Sequence, residues 1–330
     1  MGDRSCGPAA SGIFFLPVHF FKVFWWKPLQ RKSLISLPPF RIDPCGCSPY
    51  NSDMEKSEGV SGLSRKTTAI VVIGHGSPLP EGNRHFRETF RKLACLLPPE
   101  WLVREAFLEH AEPDVESVLR ECAEMDADLH IFPFLLFDAG HSKSDVWSFI
   151  HDLKVKFPEV KVIRDWAIGT DQAPISVLID LLPPPEEDVR DRLIFVGRGS
   201  LDPNANASLY YQGRRLWERR GGPEFSYAFI GVTMPRFKSV IEGLDPASFD
   251  RLLVVPYFLF EGVLMDRIRN TVNGFLSGVG SGKRGHVTPP FGDHPLFLSS
   301  IANRLRRLVF HGVTAMPKWI QLDTQTTHTL

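Results

Sequence analysis

The sequence has no excess charge of either sign: 38 Lys and Arg balance 38 Asp and Glu. That balance argues against a nucleic-acid binder, whose footprint is a basic patch. Cysteine is scarce. The five residues Cys6, Cys45, Cys47, Cys95 and Cys122 are scattered and odd in number. Only Cys45-Gly-Cys47 is a close pair, and it lacks the second pair a structural zinc site needs. A reducing cytoplasm fits this usage. There is no G-x-x-x-x-G-K-[ST] loop and no G-x-G-x-x-G fingerprint, so no nucleotide is expected. No long hydrophobic run occurs either. Residues 13–26 are strongly aromatic, but Pro17, His19 and Lys22 interrupt them. The stretch is too short and too polar for a membrane span, so stable membrane insertion is not expected. No small-residue cleavage site follows it, as a signal peptide would require.

What is present is an ordinary soluble composition, 43% hydrophobic and 23% charged. A chain of 330 residues suggests two domains. Residues 1–65 read as a weakly ordered extension ending in a Ser/Gly/Asn-rich linker. Two lobes follow, at 66–188 and 189–312, and residues 313–330 form a tail.

The central stretch runs from Ala69 to Pro78. Ala69 to Ile73 are apolar without a break, and Ile70 to Ile73 are β-branched. That predicts a parallel strand buried on both faces. It ends in Gly74-His75-Gly76-Ser77-Pro78. Ligand sites in open α/β sheets gather at such strand ends. The serine does not sit between the two glycines, so this is no nucleophile elbow. Beyond it the pattern predicts a helix over 81–97, a strand over 102–108 and a helix opened by Glu112-Pro113. A strand over 129–136, a helix over 142–157, a strand over 160–163 and a helix over 171–182 complete the unit. Alternating strands and helices imply right-handed crossovers and a parallel sheet.

The pattern then repeats. Ile194-Phe195-Val196-Gly197-Arg198-Gly199-Ser200 lies 123 residues after Val71-Val72-Ile73-Gly74-His75-Gly76-Ser77. Val255-Pro256-Tyr257-Phe258-Leu259-Phe260 follows Phe132-Pro133-Phe134-Leu135-Leu136-Phe137 at the same spacing. The fold class expected is therefore α/β, with two duplicated lobes and a cleft between their strand ends. The second copy is irregular between Gly274 and Gly285, where a shortened or disordered helix connection is expected.

The two lobes differ where chemistry would sit. His75 is answered by Arg198, Glu109 by Gly231 and His141 by Leu264. Two imidazoles and a carboxylate at successive strand ends suit a divalent first-row metal, and the same groups accept protons. Glu109 has a second reading, as a cap for the following helix. Arg198 has one too, as the partner of Asp202.

These residues resemble the sirohydrochlorin chelatases, the class II tetrapyrrole chelatases of cobalamin and siroheme synthesis. The resemblance rests on Gly74-His75-Gly76-Ser77, Asn83, Ala106-Phe107-Leu108-Glu109 before Pro113, Pro133-Phe134-Leu135-Leu136, and Gly140-His141 with Asp145. It covers residues 68–180 well and extends more weakly to about 310. It implies an ATP-independent lyase in which His75 and His141 hold or deliver the metal and Glu109 assists proton removal. The metal, Co2+ or Fe2+, and a sirohydrochlorin-type tetrapyrrole are then the substrates. Arg198 and Ser77 are expected to contact the tetrapyrrole, Arg198 through a carboxylate. The same cleft also suits a non-catalytic metal or tetrapyrrole carrier. Because the duplication supplies both lobes, a monomer is sufficient.

Overall fold

The computed structural model describes residues 66–137, 141–279 and 282–311, with the backbone path alone over 141–145. The expected features of the first 65 residues and of the tail lie outside the described residues. In order, the first half contains β1 (Thr68–Gly74), α1 (Pro80–Ala94), β2 (Leu102–Phe107), α2 (Val115–Glu124), β3 (Asp128–Pro133), α3 (His141–Lys156), β4 (Val162–Arg164) and α4 (Ala173–Leu181). The second contains β5 (Asp191–Gly197), α5 (Pro203–Arg219), β6 (Glu224–Phe229), α6 (Phe237–Glu242), β7 (Arg251–Pro256), α7 (Val263–Gly278), β8 (Arg284–Val287) and α8 (Pro295–His311). Two four-stranded sheets result, ordered β2-β1-β3-β4 and β6-β5-β7-β8. Every pairing is parallel.

The unbroken apolar run of β1 follows from burial on both faces. Ala69, Val71 and Ile73 pack outward against Val118 and Leu119 of α2 and Val146 and Ile150 of α3. Ile70 and Val72 point the other way. There they join Phe86 and Leu93 of α1, Ile175 and Leu178 of α4, and residues of the second half that include Phe195, Phe297 and Ile301. The inner core is thus shared between the lobes, with Phe134 stacked on Phe260 at 6.0 Å. The second half has its own outer core around Ile194, Val196, Phe237 and Ile268.

A buried polar bolt crosses the same seam. Arg304 of α8 donates to both carboxylate oxygens of Asp165 at 2.8 Å, and to Asp171 and the Trp166 carbonyl at 2.7 Å. Gln212 of α5 donates to the carbonyls of Gly169 and Asp171. Breaking such a fully paired buried charge by removing one partner costs about 3–5 kcal/mol. Among the described residues, no helix is long and apolar enough to cross a membrane.

Two expectations need correction. Pro113 does not open α2. The helix begins at Val115, and Asp114 caps it by accepting from the Ser117 N–H at 2.9 Å. Glu112-Pro113 is instead a cis peptide in the preceding loop, where the Pro113 carbonyl accepts from the Phe107 N–H. The second correction concerns α7. It continues through Gly274 to Gly278, because Met265, Ile268 and Val272 hold a buried stripe along it.

Candidate active site

The loop after β1 is built by its glycines and by one asparagine. Gly76 has φ +86°, a region that disfavours L side chains. A Cβ at this position would overlap the Glu109 carbonyl oxygen. The close approach lets the Glu109 N–H donate to the His75 carbonyl at 3.0 Å, as the Leu108 N–H does to Gly74. Asn83 of α1 is buried and holds the other side of the loop. It accepts from the Ser77 N–H at 2.8 Å and donates to the Ser77 carbonyl at 2.8 Å. Two strand ends are therefore locked together before any side chain enters the cleft.

On that frame the His75 Nδ1 lies 3.1 Å from the Glu109 Oε1. His110 Nε2 lies 3.4 Å from the same oxygen. All three side chains are about half exposed. The helix-cap reading of Glu109 falls, because Asp114 does the capping. His75, Gly76, Ser77, Pro78, Glu109, His110 and Arg198 line one pocket of about 480 Å³. A carboxylate beside two imidazoles can accept a proton, while an unprotonated ring nitrogen can hold a divalent ion.

Arg198 reaches this pocket from the second lobe through an equivalent loop. Gly199 has φ +84°. Asn206 accepts from the Ser200 N–H at 3.0 Å and donates to its carbonyl at 2.8 Å. The Gly231 N–H donates to the Arg198 carbonyl at 2.8 Å. A side chain at 231 would overlap that carbonyl oxygen, so the position answering Glu109 has no room for a carboxylate. Asp202, the partner offered to Arg198, caps α5 by accepting from the Asn204 N–H at 2.9 Å. Arg198 stays protonated and has no lone pair for a metal, but it offers a planar fork of donors to a carboxylate.

Ser77 lines the pocket, yet its Oγ already accepts from the Leu79 N–H at 3.1 Å. Its hydroxyl proton and a second lone pair remain to offer. His141 opens α3 just beyond the β3 strand end, and its side chain lies outside the described residues. Among those residues, no group of three or more His, Cys, Asp and Glu side chains forms a ready-made metal cage.

His110 is the site residue that sequence reasoning missed. Its signal was adjacency to Glu109 alone. What brings it to the carboxylate is a left-handed backbone, φ +61°, uncommon outside glycine but enriched in histidine. That conformation is invisible in the sequence.

The comparisons with known proteins agree with this architecture. The CbiX family model matches residues 69–182 and again 192–308. A sirohydrochlorin cobaltochelatase of Priestia megaterium is 32% identical over 220 residues, covering 63% of this chain and 69% of that one. A sirohydrochlorin ferrochelatase of Bacillus subtilis is 26% identical over 243 residues, covering 72% of this chain and 90% of that one. Among solved structures, SirB from Bacillus subtilis with Fe3+ superposes with a TM-score of 0.65 at 23% identity, over 74% of this chain and 97% of that one. That last likeness speaks for the shared two-lobed fold. With the family matched in both halves, the chain belongs to the CbiX family.

Proposed function

We propose that this chain is a sirohydrochlorin chelatase, a lyase that exchanges a divalent metal for the two inner N–H protons of the macrocycle. The observation that carries the reading is the His75–Glu109 pair facing Arg198 in one pocket. The relatives named for cobalt and iron insertion support it. The reaction balances as metal dication plus metal-free tetrapyrrole giving metallated tetrapyrrole plus two protons. Each residue type has work to do in it. An imidazole nitrogen of His75, with His141, replaces water on the incoming ion. Glu109 accepts a pyrrole proton as the metal–nitrogen bond forms. His110, 3.4 Å from the same carboxylate oxygen, helps fix its orientation. Arg198 holds a carboxylate on the macrocycle rim from the second lobe.

The exchange needs no nucleotide, because the metal–nitrogen bonds formed replace the N–H bonds lost. Either Co2+ or Fe2+ meets the demands of two imidazoles and a carboxylate, so ligand type does not select between them. A cytoplasmic monomer is the form we assign, since one chain supplies both walls of the cleft.

The test is a metallation assay with purified protein, metal-free sirohydrochlorin and either Co2+ or anaerobic Fe2+, read by absorbance. Many equivalents of product per protein are expected. A signal that stops at one equivalent would show a carrier, and no signal with either ion would refute the reading.

A further inference from the structure

The two lobes differ in a way that the proposed chemistry has not used. At the strand ends of the first lobe, loop positions 110 and 112 are His and Glu. Their counterparts 122 residues later are Val232 and Met234. Pro78 and Gly140 are answered 123 residues later by Leu201 and Val263. These four apolar side chains are largely open to solvent: Leu201 91%, Met234 68%, Val232 58% and Val263 54%. They follow the carboxyl ends of β5, β6 and β7, the end of the sheet from which Arg198 enters the pocket. Val155 and Phe310 are as exposed, but they belong to α3 and α8 and stand away from the strand ends; Leu296, 57% exposed, opens α8, and the first lobe has Leu79 after β1 at 52%. Apolar groups gathered at a ligand-bearing edge mark a binding surface more often than a solvated one.

We propose that Leu201, Val232, Met234 and Val263 form an apolar shelf that seats one face of the tetrapyrrole macrocycle. The inference rests on the chelatase reading above and assigns the second lobe its own share of substrate binding. The occupant is argued from complementarity. A flat, largely apolar disc with carboxylates at its rim matches an apolar surface with one guanidinium at its margin. The opposite wall carries His75, Glu109 and His110, so the open face of a disc seated on the shelf is the one that meets metal and proton acceptors. The shelf then sets the side from which the ion enters.

The experiment is a fluorescence titration of metal-free sirohydrochlorin into the full chain, without metal. The variants are Leu201→Ser and the double variant Val232→Ser with Met234→Gln, and Val155→Ser is the control. Because burying one such side chain contributes roughly a tenfold factor, the single variant should raise Kd about tenfold and the double variant about a hundredfold. Val155→Ser should leave Kd where it was. High salt should weaken wild-type binding through Arg198 without narrowing the gap between wild type and shelf variants, since apolar burial is not screened. Unchanged Kd in both shelf variants, with a wild type that binds and turns over, overturns the shelf and leaves the chelatase reading standing. The shelf is overturned equally if the wild type sediments as a dimer that these substitutions dissociate at unchanged Kd. A wild type that neither binds nor metallates sirohydrochlorin overturns the underlying reading as well.

Discussion

The Nδ1 of His75 and the Oε1 of Glu109 stand 3.1 Å apart, at the ends of two adjacent parallel strands. Their approach is made by backbone. Gly76 leaves room for the Glu109 carbonyl where a side chain would collide, and the Glu109 N–H donates to the His75 carbonyl. The groups proposed for metal and for proton are therefore positioned by one pair of loops. In the second lobe the same loop pair carries Arg198 and Gly231.

Replacing Glu109 with Gln keeps the shape and removes the proton acceptor. Turnover of the variant should fall by about a hundredfold or more, the usual range for a lost general base. Its melting temperature should stay near that of the wild type, because the side chain is half exposed and caps no helix. Unchanged turnover with a lowered melting temperature would return Glu109 to a structural role.

Arg198→Ala should act on the other substrate. Losing one charged hydrogen-bonded contact weakens binding by about 1.5–3 kcal/mol. The Michaelis constant for the tetrapyrrole should rise accordingly, while that for the metal holds. Steady-state kinetics with each substrate varied in turn decides the matter. A tetrapyrrole constant that does not move removes Arg198 as an anchor.

His130 predicts a pH dependence of stability. It lies in the middle of β3, paired with Ile70 of β1, and is 3% exposed. Burial pushes its pKa down to about 4, and the positive charge of Lys161 adds to this. The unfolded chain therefore binds a proton near pH 6.5 that the folded chain refuses until about pH 4. Stability is fully present above the unfolded value and is lost as pH falls through that window, by on the order of 3 kcal/mol. The second lobe places Leu253 at the matching register, opposite Leu193. His130→Leu should flatten the fall in melting temperature between about pH 6.5 and about pH 4, the window set by those two values. Equal slopes in wild type and variant would contradict the assignment.

Much of this was legible in the sequence because it follows from burial and repetition. The run Ala69 to Ile73 could only be a strand covered on both faces, and it is. Arg198 was found by spacing alone, since the duplication carries it to the place of His75. Helix ends were less legible. Pro113 suggested a helix start, but the Asp114 side chain supplies the cap and the proline turns the loop before it. His110 was barely legible, through adjacency alone, because its contact with Glu109 depends on a left-handed backbone. Nor was the sharing of one inner core by the two lobes, since no local pattern records that Phe134 will stack on Phe260.

The most direct test of the account follows metallated product against time in wild type, His75→Ala and His141→Ala, with tetrapyrrole affinity measured in parallel on each. The account predicts many turnovers per wild-type chain. It predicts near-complete loss of turnover in both histidine variants, while the circular dichroism spectrum and the affinity for metal-free sirohydrochlorin stay close to wild type. Near-normal turnover in His75→Ala would contradict the account at its centre.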